Sequence, residues 1–363
     1  MSPAACAVAL RTTATLLLAL AAAALCLRWN TPLPWMIGPL VATGAASMLG
    51  APMLSWDPLR NIGQWTIGCA LGLYFTPAVV SLVAGIWWVI VLGIAWALGL
   101  GLLAGEFLHR VHKAPGALHI AGLSRITTYF AAPIGGASEM TLISERYGAQ
   151  AELVAAAHTL RILLVTLIVP FGFQWMGLQG LDIALPGARE VNWPGLALLT
   201  ALSGAGCLVM LWLDRANPWF LGALATSLLL TASGYTLSAL PQWLTNGAQL
   251  LIGISLGVRF TRSFVHMAPR WLASVTLSTC LMILLCAGFA WVLAQLTTLH
   301  WGTLLLATTP GGIAEMAITA KVLQFGVPVV TAFQVTRLTG VLLLSEPMYR
   351  WWFKGRATPA ALL

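Results

Sequence analysis

Charge is the scarcest commodity in this sequence. Asp, Glu, Lys and Arg together make up 8% of 363 residues, against about 25% in soluble domains. So few charges exclude a soluble enzyme, a disordered chain and an ordinary nucleic-acid-binding domain. Metal and disulfide patterns are absent too. The six cysteines, Cys6, Cys26, Cys69, Cys207, Cys280 and Cys286, are scattered and form no CxxC pair. They read as small apolar side chains rather than a disulfide framework or a zinc site. No HExxH, GxSxG or P-loop occurs, so the usual hydrolase and nucleotide signatures are missing. What is abundant is apolar surface: 59% hydrophobic residues, 35 Gly and 17 Trp, with a mean hydropathy of +0.89.

That composition predicts a polytopic helical membrane protein. A bilayer core about 30 Å thick needs roughly 20 apolar residues per crossing helix, so the chain has room for about ten to twelve segments. The net charge of +8 is then informative only through where the Lys and Arg sit, because cytoplasmic loops keep an excess of them. Arg11 followed by the uncharged run Thr12–Leu27 imitates a secretory signal. We read it as a retained first helix, because removing it would leave the first half of the chain one helix short of the second.

The sequence is written twice. Asn61–Thr76 and Asn246–Thr261 match at eight of sixteen positions at an offset of 185. Ala132–Met140 (APIGGASEM) and Thr309–Met316 (TPGGIAEM) align two glycines, a glutamate and a methionine at an offset of 176, and the same offset carries Arg161 onto Arg337. Ile37-Gly38 is echoed by Leu221-Gly222. Such self-similarity marks a duplicated architecture. Six segments are expected in each half: 12–27, 33–50, 61–77, 80–105, a broken 117–147 and 151–173, then 193–213, 218–237, 243–258, 271–297, a broken 301–325 and 328–349. The repeats are taken as 1–180 and 190–356.

The distribution of basic residues chooses between topologies. If all six segments of each half cross, Lys and Arg divide about nine inside to seven outside. If one segment per half fails to cross, the broken one being the obvious choice, thirteen fall inside and only Arg28, Arg189 and Lys321 outside, with Arg161 and Arg337 in the membrane. The second arrangement satisfies the positive-inside rule. Its odd number of crossings inverts one half relative to the other, as in many secondary transporters. The expected fold is therefore all-α, with two repeats in inverted topology, about ten crossings and one broken helix per repeat.

The two Pro-Gly-Gly breaks are the leading candidate site. Proline removes a backbone donor and glycine loosens the chain. At membrane depth the freed backbone must be buried in protein or line a wet cavity. Breaks at corresponding positions of two halves point to a transporter binding site. The candidate substrate-binding residues are Pro133, Gly135, Gly136, Glu139, Arg161, Pro310, Gly311, Gly312, Glu315 and Arg337. Two readings stand for the charged ones. The Glu and Arg of each half form a buried pair that pins the break, or the arginines and half-helix N-termini hold an anionic group while the carboxylates take coupling protons or ions. Gln64 and Gln249, on segments with four-residue glycine spacing, and His158, one turn before Arg161, are read as packing residues or as pore lining. His109, His112 and His119 do not share a helix face, so no metal site is assigned. Arg110 and Lys113 read as headgroup or topology charges. Trp87-Trp88 and Trp351-Trp352 read as interfacial belt or packing residues.

The repeated Gly-Gly…Glu-Met followed by an arginine-bearing helix resembles the AbrB-type membrane protein family over roughly residues 12–350. The resemblance implies a duplicated membrane domain, distantly like the cation/proton antiporter and bile-acid symporter architecture. Members are labelled regulators or ammonia monooxygenases. The adjacent Asp-Asp of sodium/proton exchangers is absent here, and Ile134 looks inserted where the family runs Pro-Gly-Gly directly.

The reading that follows is an inner-membrane secondary transporter of a small organic anion or zwitterion, with both termini cytoplasmic. It is not an enzyme and has no cofactor. Its partners are a small-molecule substrate, a coupling proton or cation and membrane lipid, with no nucleic acid; a homodimer is left open. The alternatives are a non-transporting membrane protein acting indirectly on gene expression and a membrane-bound monooxygenase.

Overall fold

A computed structural model describes residues 3–114, 120, 123–180, 186–188, 190–215, 217–262, 264 and 269–353. These form fifteen helices and no strands. The first half contributes α1 (Pro3–Arg28), α2 (Pro34–Met48), α3 (Asp57–Gly72), α4 (Pro77–Gly85), α5 (Trp87–Lys113), the short pair α6 (Arg125–Ala131) and α7 (Ala137–Arg146), and α8 (Ala151–Trp175). The second half contributes α9 (Trp193–Trp212), α10 (Pro218–Ala232), α11 (Gln242–Gly257), α12 (Pro269–Leu296), the short pair α13 (Trp301–Thr308) and α14 (Ile313–Val322), and α15 (Val327–Phe353). Both expected breaks are present. One difference lies in 80–105, which divides at Ile86 into the end of α4 and the start of α5.

Among the described residues six helices are long and apolar enough to cross a bilayer: Cys6–Arg28, Trp87–Lys113, Ala151–Trp175, Trp193–Trp212, Pro269–Leu296 and Val327–Trp351. Asp57–Gly72 and Pro77–Gly85 are bent by 85° and add a seventh if they form one span. The expectation of about ten exceeds this count for a geometric reason. At 1.5 Å per residue, 15 or 16 residues reach only about 24 Å, and α2, α10 and α11 are that short. Large apolar side chains that face outward, such as Leu17, Leu103, Leu208, Leu284 and Leu343, suit a lipid surround and would be a liability in water.

Turns repeat along with helices. Asn30 and Leu33 before α2 have φ of 50° and 47°, and Asp214 and Asn217 before α10 both have φ of 50°. Left-handed backbone is rare in residues other than glycine. Its recurrence at an offset of 184 shows that the duplication extends to local conformation.

The chain divides into two compact units, and each draws on both halves. The first comprises Met1–Gly85, Val169–Val265 and Ala317–Val329; the second comprises Ile86–Ile168, His266–Met316 and Val330–Leu363. Contacts inside the first unit come in reciprocal pairs. Helix α2 packs on α1, and α10 on α9; α2 packs on α11, and α10 on α3. The glycines permit this. A Cβ on Gly68 would strike the Phe220 carbonyl, and one on Gly253 would strike the Met36 carbonyl. One on Gly72 would meet Ser227, and one on Gly257 would meet Thr43. The four-residue glycine spacing thus serves close helix approach. Gln64 and Gln249 sit beside the place where Gly63 of α3 meets Ala248 of α11, with Gln249 buried and Gln64 half-buried.

In the second unit α5 and α12 are joined by the stacked Trp96 and Phe289 rings, 4.4 Å apart, and by His112 Nε2 within 2.7 Å of Ser274 Oγ. Gly93 of α5 abuts Phe333 of α15, and Gly340 of α15 abuts Ile94 of α5. Trp271 of α12 donates to the Leu153 carbonyl of α8. The frame of this unit is therefore cross-braced between halves, and both breaks sit within it.

Candidate functional site

Each break is a helix that stops, runs four or five residues outside any helix, and starts again. The first spans 132–136, between α6 and α7; the second spans 309–312, between α13 and α14. A helix that stops leaves carbonyls exposed and the negative end of its dipole uncompensated. At both breaks an arginine from the last long helix of the same half fills that role. Arg161 donates through Nη1 to the Ala132 carbonyl at 2.9 Å and through Nη2 to the Pro133 carbonyl at 2.8 Å. Arg337 donates through Nη1 to the Thr309 carbonyl at 2.7 Å and through Nη2 to the Gly311 carbonyl at 2.9 Å. Both arginines are 4% exposed, which leaves the carbonyls to do what water does elsewhere.

The residue one turn earlier completes each clamp. His158 Nε2 lies 3.0 Å from the Phe130 carbonyl and Nδ1 lies 2.6 Å from Arg161 Nη2. Gln334 Nε2 donates to the Leu306 carbonyl at 2.8 Å, and its Oε1 accepts from Arg337 Nη2 at 2.5 Å. Phe130 and Leu306 are again 176 residues apart. This corrects the reading of Ile134 as an insertion. The partners before the break and the glycines after it keep one offset, so nothing is inserted; proline sits one residue earlier in the first half. Thr309, before Pro310, is extended (ψ 141°), as proline favours in the residue before it, whereas Ala132, before Pro133, stays helical (ψ −38°) against that preference.

The Gly-Gly…Glu-Met pattern has a local steric cause. A Cβ on Gly135 would meet the Met140 side chain at 2.6 Å, and one on Gly311 would meet Met316 at 2.7 Å. A Cβ on Gly136 or Gly312 would coincide with a carboxylate oxygen of Glu139 or Glu315. The first glycine of each pair admits a methionine with no exposed surface. The second admits a glutamate folded back over the first turn of α7 or α14. A carboxylate there complements the positive end of the half-helix. Each break therefore carries a cation on its carbonyl end and an anion on its amide end.

This geometry replaces one of the two sequence readings. Among the described residues neither guanidinium pairs with a carboxylate: Arg161 and Arg337 spend their Nη donors on carbonyls, His158 and Gln334. Both Nε–H groups are buried without a partner among the described residues. Both breaks lie in the same compact unit.

Other candidates fall elsewhere. His112 is buried against Trp271 and Ser274, His109 lies one turn before it, and His119 is outside the described residues. Among the described residues no three His, Cys, Asp or Glu side chains gather at metal-binding distance. Arg110 and Arg125 both bond Glu106 at 2.8 Å, so Arg110 has a protein partner. Sequence reasoning missed a network beside the first break. Tyr147 donates to Glu346 at 2.7 Å and accepts from Arg350 Nε at 2.9 Å, while Phe130, Tyr147 and Tyr349 stack around it. It ties the end of α7 to α15, and no repeat or spacing announces it.

Fold and site together define an all-helical integral membrane protein with paired, arginine-capped broken helices. The family described as transition state regulatory protein AbrB matches residues 35–353, and the chain belongs to it. A protein of Escherichia coli (strain K12) named "Putative regulator AbrB" is 26% identical over 330 residues, covering 89% of this chain and 90% of its own length. The uncharacterized protein YhjN of Bacillus subtilis (strain 168) is 25% identical over 342 residues, covering 87% of this chain and 86% of its own. No solved structure matches the chain.

Proposed function

We propose that the protein is a secondary transporter of the bacterial inner membrane that moves a small organic anion, or a zwitterion with an anionic group, by alternating access at the two broken helices. The observation that carries this reading is the pair of buried guanidiniums. Each is 4% exposed, lacks a carboxylate partner among the described residues, and keeps an Nε–H with no partner there. A buried cation held only by neutral acceptors remains costly, and an anionic solute entering beside it would relieve that cost. The half-helix N-termini already have Glu139 and Glu315, so the anion falls to the arginines. In this reading Glu139 and Glu315 also take a coupling proton or cation during the cycle.

The inverted arrangement of repeats 1–180 and 190–356 belongs to the same proposal. Reciprocal contacts, in which element i of one half meets j of the other and j meets i, are what a two-fold relation requires. The thirteen-to-three division of basic residues supports an odd number of crossings per half, with both termini cytoplasmic. Reporter fusions after Lys113 and after Arg262 are expected to report cytoplasm; opposite sides would reject the inversion. For the substrate, purified protein is screened by thermal shift against small carboxylates and zwitterions. Stabilisation by anionic solutes that disappears in R161M and R337M supports the reading, and stabilisation indifferent to both substitutions removes it.

A further inference from the structure

The two clamps share an arginine fork on break carbonyls but differ one turn before the arginine, where the first half has histidine and the second has glutamine. Histidine invites a proton-relay reading. The contacts point elsewhere. A guanidinium has only donors, so His158 Nδ1, 2.6 Å from Arg161 Nη2, presents its lone pair. A carbonyl only accepts, so Nε2, 3.0 Å from the Phe130 oxygen, carries the hydrogen. Both ring nitrogens are thereby assigned, and the ring is neutral. Gln334 makes the same two contacts with an amide: Oε1 accepts from Arg337 and Nε2 donates to Leu306.

We propose that His158 is a positioning residue, a neutral Nε2–H imidazole that stands in for glutamine and fixes Arg161 against the carbonyls of the first break. A proton on Nδ1 would set N–H against N–H at 2.6 Å. It would also place a second cation beside Arg161, the charged group that acts on His158 among the described residues, in a site where the ring has no exposed surface. The inference concerns the architecture of the break and stands apart from whether the protein transports.

The test has two arms. Protein labelled with 15N-histidine and reconstituted in lipid is studied by solid-state NMR from pH 5 to 8, with H158Q assigning the His158 signals by their disappearance. The expected spectrum is the Nε2–H tautomer throughout. Thermal midpoints are then compared for H158Q, H158L and the mirror variant Q334H. H158Q and Q334H are expected within ~2 °C of the parent, and H158L at least ~5 °C below it. An imidazolium signal in that pH range overturns the proposal. So does an H158Q loss equal to that of H158L, or an H158L midpoint equal to the parent's. If H158L does not fold, the spectrum and H158Q still decide.

Discussion

Replacing Arg337 by lysine keeps the buried charge and removes the fork. The guanidinium reaches three acceptors at once: the Thr309 and Gly311 carbonyls and Gln334 Oε1. An ammonium is a point donor on a shorter stem and cannot bridge all three. Thr309 O keeps a weaker donor in Gln334 Nε2, at 3.3 Å, so the acceptors stranded are Gly311 O and Gln334 Oε1. Hydrogen bonds to a charged donor contribute about 1.5–3 kcal/mol each, which makes the expected loss ~3–6 kcal/mol. Because the charge is retained, relief of desolvation does not offset it. At ~2 °C per kcal/mol for a chain of this size, the thermal midpoint of R337K should fall by on the order of 10 °C at a fixed scan rate. R161K should fall comparably, since its guanidinium also serves two carbonyls and one side chain. Arg350, whose side chain is 62% exposed while paired with Glu346, supplies the control: R350K should lose ~1 kcal/mol at most. If R337K melts with the parent, the guanidinium is not capping the break and the clamp is wrong.

Three further outcomes follow from the packing. G68A and G253A should both lower the midpoint by several degrees, because each Cβ meets a helix carbonyl of Phe220 or Met36. G247A, with open space around it, should be neutral or gain ~0.5–1 kcal/mol from helix propensity; a large loss there would discredit the steric argument. G312A should push the Glu315 carboxylate out of its place, at a stability cost of about 1 kcal/mol. Carbodiimide labelling followed by mass spectrometry should then find Glu315 more reactive than in the parent, and unchanged labelling would count against the fold-back geometry. Y147F removes the phenol that bridges Glu346 and Arg350 and should cost ~1 kcal/mol; no change in midpoint would mark the network as incidental.

The helices and breaks were legible because apolar run length, Pro-Gly-Gly and the twofold recurrence of Glu and Arg act locally. The paired glycines at 68, 72, 253 and 257 likewise announced close packing, though not that α3 meets α10 while α11 meets α2. The partners of Arg161 and Arg337 were not legible. Opposite charges 22 residues apart suggest a salt bridge, whereas the carbonyls that bind the guanidiniums belong to every residue and leave no mark on the sequence. The equivalence of His158 and Gln334 was visible as an alignment, but its meaning needed both ends of each side chain. Helix ends were not legible, because an uncharged stretch does not reveal where its helices stop, as at Gly72 and Ala232.

The most direct measurement is solute flux in proteoliposomes, using the anionic compound that most strongly stabilises the purified protein. The account predicts saturable uptake by the parent protein and its loss in the R161M/R337M double variant. Tight binding with no turnover, or uptake unchanged when both guanidiniums are gone, would contradict it.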